Sequence, residues 1–126
     1  MKAVILFCLF TSFSHASSCF SDSSTELETT EKYKSLFEFE TEIQEGSAVI
    51  SIHIPVSLEG KEYVIGAVLM DSIDDPTFFI PIHATKAKNS YIVAYILSRE
   101  LVRRHFVTFT YGEGCGISVT LPVVLE

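Results

Sequence analysis

Between Ala48 and Val56 the chain reads Ala-Val-Ile-Ser-Ile-His-Ile-Pro-Val. Ala48, Ile50, Ile52, Ile54 and Val56 recur at every second position, with Val49, Ser51, His53 and Pro55 between them. A period of two sends alternate side chains to opposite faces of an extended strand, so this stretch is not helical. One of the two faces is wholly apolar and needs a covering layer. Leu58-Glu59-Gly60-Lys61 follows as a turn, with Gly60 where a tight loop requires positive φ. A second apolar run then reaches Met70. The segment from Ala48 to Met70 is therefore expected to form a β-hairpin around which the chain is organised.

The same signals recur on both sides of it. In Ser35–Ile43, Phe37, Phe39 and Ile43 share one face, and Glu38, Glu40 and Glu42 share the other. Such a carboxylate row either pairs with Arg103 and Arg104 or guards an exposed sheet edge, and the edge role is favoured because exposed ion pairs contribute little. Glu45-Gly46-Ser47 turns the chain, and a loop follows Met70. Phe78–His83 is a short strand whose Pro81 marks an edge or a bulge. Thr85–Ser90 reads as a polar turn, Tyr91–Leu97 as a strand apolar on both faces, and Ser98–Arg104 as a short helical crossover. Phe106–Tyr111 and Ile117–Leu125 are strands joined by the glycine-rich turn at 112–116. Seven strands with no long helical pattern predict an all-β fold. The expected form is a single antiparallel β-sandwich over residues 35–126, immunoglobulin-like in size and with its topology open.

Residues 1–16 carry the marks of a signal peptide: Lys2, the apolar run Ala3–Phe10, and small residues at Ser14 and Ala16. The run is shorter than the roughly 20 residues that span a bilayer, so no stable transmembrane anchor is expected. Residues 17–34 form a polar leader, either mobile or folded into a single helical turn capped at Ser23 with Glu26 three positions on. Cleavage after Ala16 removes Cys8 and leaves Cys19 and Cys115, which are expected to form a disulfide in an oxidising compartment. The expected location is periplasmic or extracellular. Lipid anchoring at Cys19 is the minor alternative; it would strand Cys115, and the preceding Ala16-Ser17-Ser18 lacks a Leu-like residue.

The formal charge is −7. Residues 17–75 hold thirteen acids against three bases, and residues 76–126 three acids against five bases. That balance argues against nucleic acid and against anionic membrane surfaces as partners. No Gly-x-Ser-x-Gly occurs, and Cys115 would be a nucleophile only if unpaired. His53, His83 and His105 are far apart in the sequence. His53 and His83 each sit in a Pro-containing strand and are weak metal-ligand candidates, meeting only if those strands pair. Asp71, Asp74 and Asp75 fit no EF-hand spacing and read as turn chemistry before Pro76. No cofactor is expected.

Two strands, Tyr63–Met70 and Tyr91–Leu97, lack a polar face. Taken as neighbours in one sheet, they leave an outer apolar patch of Val64, Val68, Met70, Ile92 and Ile96. The expected function is therefore that of an exported, non-enzymatic binding or assembly module acting through protein–protein contacts. Its partner would be another exported or envelope protein, or a second copy in a homodimer. The alternative is an extracytoplasmic metal-binding protein or small enzyme using the strand histidines.

Overall fold

The computed structural model describes residues 23–100, 103–114 and 116–125. Helix α1 (Ser23–Tyr33) and a 3-10 turn (Lys34–Leu36) precede nine strands among those residues. They are β1 (Glu38–Gln44), β2 (Ser47–Pro55), β3 (Ser57–Leu58), β4 (Lys61–Met70), β5 (Phe79–Ile82), β6 (Thr85–Lys86), β7 (Ser90–Ser98), β8 (Arg104–Tyr111) and β9 (Ile117–Val124). One sheet has the order β1-β2-β7-β6. The other runs β3-β4-β8-β9, with β5 also paired to β4. Every pairing is antiparallel. The protein is thus an all-β sandwich.

The period-two pattern of β2 is realised residue by residue. Ala48, Ile50, Ile52 and Ile54 are at most 1% exposed, while the residues between them are half-buried. Each isoleucine withdrawn from water contributes on the order of 2 kcal/mol. Facing them are Tyr63, Ala67 and Leu69 of β4, and Val107, Phe109 and Tyr111 of β8, all buried. Phe37 enters from below, its ring 5.2 Å from that of Phe109.

The hairpin expected across Ala48–Met70 is divided between the two sheets. β2 pairs with β1 and β7, whereas β4 pairs with β3, β5 and β8. The chain changes sheet at Pro55–Val56, and only the short β3–β4 hairpin uses the predicted turn. Glu59 (φ 48°) and Gly60 (φ 75°) supply the two positive φ angles of a type I′ turn. The physical reason lies in the two apolar faces. Placed side by side they would both need a third layer; placed opposite each other they cover one another. The corner is fixed by Tyr111, whose hydroxyl donates to the Pro55 carbonyl at 2.7 Å. The Tyr63 amide adds a bond to the Val56 carbonyl at 3.0 Å.

Where a mobile leader or one capped turn was expected, residues 23–33 form an 11-residue helix. Thr30 and Tyr33, three apart and so on one helical face, are both buried. The Thr30 hydroxyl accepts from the Thr120 amide at 3.1 Å and donates to the Thr120 carbonyl at 3.2 Å. Helix α1 thereby closes the outer edge of β9, which would otherwise present unpaired backbone groups. Pro122 sits two residues further along the same edge, where its missing N–H removes no ladder bond. In the segment read as a polar turn, Thr85 and Lys86 add the short β6 to β7. The expected helical crossover after Ser98 is a turn at Arg99–Glu100, with the Arg99 amide donating to the Gly46 carbonyl at 3.0 Å. Residues 101–102 lie outside the described residues. Among the described residues, no helix is long and apolar enough to cross a membrane.

Candidate interaction surface

Directly opposed residues of antiparallel strands point to the same face of a sheet. Ala67 and Leu69 of β4 point into the core, so Val68 and Met70 between and beyond them point out. Met70 is opposed by Phe79 on β5 and by Phe106 on β8, and Phe106 by Pro122 on β9. The outer face of this sheet therefore carries an unbroken row, Phe79–Met70–Phe106–Pro122. At the usual strand spacing of about 4.8 Å, it is roughly 14 Å wide. Val68 is flanked by Pro81 and Thr108 in the next row, and Val124 by Arg104 on the other side. Phe79 is 62% exposed and Val124 63%. Pro81 and Pro122 are exposed, and Val68, Met70 and Phe106 are half-buried. The Arg104 guanidinium lies 5.6 Å from the centre of the Phe106 ring, giving the apolar row a cationic margin.

The loop from β4 to β5 sets the position of Phe79. The Asp71 carboxylate accepts from the Thr77 amide at 2.8 Å, from the Thr77 hydroxyl, and from the Phe78 amide at 3.4 Å. These bonds, the Thr77 hydroxyl foremost, hold its carboxyl below the usual carboxylate range. Asp71 thus acts as turn chemistry, and the Asp75 amide donates to the Ser72 hydroxyl at 3.4 Å. The same loop and helix α1 border a cavity of about 230 Å³, lined by Glu26, Leu27, Thr30, Ile73, Asp74 and Thr120. Thr120 belongs to the outer face, in the row of Val68 and Thr108.

The opposite outer face, on the β1-β2-β7-β6 sheet, is built differently. Its rows run Ile96–Val49–Glu42, Ala94–Ser51–Glu40 and Ile92–His53–Glu38. Ile96 is 68% exposed, but its apolar neighbours form only a narrow column beside polar residues. β1 is an edge strand of this sheet, and Glu38, Glu40 and Glu42 all lie on it and are exposed. Arg104 opens β8 in the other sheet, and Arg103 immediately precedes it.

The expected patch of Val64, Val68, Met70, Ile92 and Ile96 is therefore not one surface. β4 and β7 are in different sheets, which places Val68 and Met70 on one outer face and Ile92 and Ile96 on the other. The phase of both strands agrees with the sequence reading; their adjacency does not. The Val64 side chain lies outside the described residues. Phe79, Phe106 and Pro122 complete the row, with Val124 beside it, and escaped sequence reasoning, because cross-strand register brings them together. The one signal for Phe106 was its place in phase with Thr108 and Thr110, away from the inward Val107 and Phe109.

His53 is on β2, and His83 follows β5 in the other sheet, so the two do not meet by strand pairing. Among the described residues, no group of three or more His, Cys, Asp or Glu side chains is placed to hold a metal ion. His105 is fully buried on β8, with its Nε2 atom 2.6 Å from the Tyr95 hydroxyl of β7. Cys19 and Cys115 lie outside the described residues, as do residues 1–16, read as a signal peptide, and the first part of the expected leader. Comparison with protein-family models, with characterised proteins and with solved structures finds no match.

Proposed function

We propose that this chain is an exported, non-enzymatic β-sandwich module that works through protein–protein contacts at the outer face of the β3-β4-β8-β9 sheet. The observation that carries this reading is the continuous row Phe79–Met70–Phe106–Pro122, flanked by Val68, Pro81 and Val124. Single exposed apolar side chains are ordinary on any protein surface, but a contiguous set across four strands is not. Aromatic and methionine side chains with an arginine at the rim have the composition of protein-contact surfaces. Export is supported by the sequence of residues 1–16 and the expected pairing of Cys19 with Cys115. An acidic balance suits neither nucleic acid nor anionic lipid.

The test uses Phe79→Glu combined with Val124→Glu, both at highly exposed positions that the core does not need. Light scattering at micromolar concentration reads self-association, and capture from the native envelope or secreted fraction reads a different partner. The wild type is expected to associate in one of these two assays and the double variant to lose it, with the melting temperature moving by only a few degrees. A wild type that is monomeric and captures nothing, or a variant that behaves like wild type, defeats the reading.

A further inference from the structure

The inward row of β8 is His105, Val107, Phe109 and Tyr111, and all four are buried. An imidazole in such a row has to satisfy two ring nitrogens away from water. His105 satisfies one of them. Its Nε2 is 2.6 Å from the Tyr95 hydroxyl, the rings meeting edge-on at 77° and 5.5 Å between centres. Tyr95 is on β7 and His105 on β8, so this bond runs between the two sheets rather than along one. Nδ1 is buried and has no hydrogen-bond partner among the described residues. In the neutral ring, either tautomer leaves only that one nitrogen unpaired. In the imidazolium both nitrogens are donors, and the charged Nδ1–H faces apolar packing.

Among the described residues, burial alone shifts the titration of the His105 ring, with no carboxylate acting on it. Tyr95 is the titratable group that faces His105 from the opposite sheet, and burial pushes its phenol well above the ordinary range, so it stays a neutral hydroxyl. On β9 the register partner is Val123, and on β2 the residue opposite Tyr95 is Ile50. Arg104 precedes His105 and turns the other way, over the outward Phe106 ring. Asp71 follows the last β4 residue paired to β8, and its carboxylate is taken by Thr77 and Phe78.

We infer that the His105–Tyr95 pair is an acid-released latch between the two sheets of the sandwich. At neutral pH it joins them through one hydrogen bond. In acid, one proton from solvent adds to the ring nitrogen that lacks one, forming an N–H bond and leaving both nitrogens as donors with a net positive charge. The resulting buried charge is relieved when β7 and β8 part and water reaches the ring. Burial holds the imidazole at about 4, below its ordinary 6.5. The folded state therefore binds fewer protons than the unfolded one between those values. The contribution of His105 to stability is complete above about pH 6.5 and is lost as pH falls towards 4. An exported module with this latch opens its core in acidic surroundings and is closed at neutral pH.

The experiment compares the full chain with His105→Gln, whose amide is neutral at every pH. Urea unfolding is followed from pH 7.5 to pH 4.5. The folding equilibrium constant of the wild type should fall on the order of a hundredfold more than that of the variant over this range. The protection factors of the amides at 93–97 and 105–109, referred to the intrinsic exchange rate at each pH, should fall in acid in the wild type and not in the variant. Parallel pH dependences for the two proteins would overturn the latch. Should His105→Gln not fold, the imidazole of the wild type is titrated by NMR. A midpoint well below 6.5 that coincides with loss of β7 and β8 protection supports the latch. A midpoint near 6.5 with protection intact overturns it.

Discussion

Replacing Thr30 with Val removes one hydroxyl and leaves the size and branching of the side chain unchanged. That hydroxyl makes two bonds to the backbone of Thr120, at 3.1 and 3.2 Å. Thr30 and Thr120 are each only 7% exposed, so water does not readily substitute for it. A buried backbone N–H or C=O left without a partner costs about 1–3 kcal/mol, and here one of each is orphaned by the same change. The β9 edge relaxes partly, so the expected loss is about 2–3 kcal/mol. For a domain of this size that lowers the melting temperature by roughly 10–15 °C. Thr30→Ser keeps the hydroxyl and should lose less than about 1 kcal/mol, through the missing methyl alone. The assay is urea unfolding of wild type and both variants, with amide exchange at Thr120 as the local readout. The reasoning fails if Thr30→Val unfolds within about 0.5 kcal/mol of wild type, or if Thr30→Ser falls as far as Thr30→Val.

Two further outcomes are expected. Replacing Glu38, Glu40 and Glu42 together with Thr removes the charge from the exposed β1 edge and should promote aggregation with little change in melting temperature, as measured by turbidity alongside thermal melting. A large loss of stability without aggregation would instead assign the three carboxylates a pairing role. Thiol labelling of the denatured, unreduced mature protein should find no free cysteine, since Cys19 and Cys115 are expected to close a loop worth up to about 4–5 kcal/mol; two free thiols per chain would refute the pairing.

The strands were legible where a single residue type repeats on one face. Ile50, Ile52 and Ile54 announce both the strand and its buried side, and Tyr63–Met70 and Tyr91–Leu97 announce their phase. Pro81 marked an edge strand, and among the described residues β5 pairs with β4. What local pattern does not contain is which strand lies beside which. Two runs joined by a tight turn look like a hairpin, yet mutual burial of their apolar faces sent β2 and β4 to opposite sheets. The candidate surface was misassembled for the same reason: β4 and β7 were paired on composition, while register assigns Met70 to Phe79 and Phe106. Helix α1 was hidden because its surface is polar almost throughout. Its place depends on Thr30 and Tyr33, which meet partners ninety residues away in the case of Thr120. His105 looked like any strand histidine; only the facing sheet, with Tyr95, distinguishes it.

We propose that the outer face of the β3-β4-β8-β9 sheet is where this protein meets others. Site-specific photo-crosslinking addresses it directly, with a photoreactive phenylalanine analogue placed in turn at Phe79 and at the exposed Ala94 on the opposite face. In the native envelope or secreted fraction, the analogue at position 79 should give a discrete adduct, either a dimer of this chain or a single heavier partner, and the analogue at 94 should give none. Adducts from position 94 and not from 79, or equal diffuse labelling from both, would contradict the account.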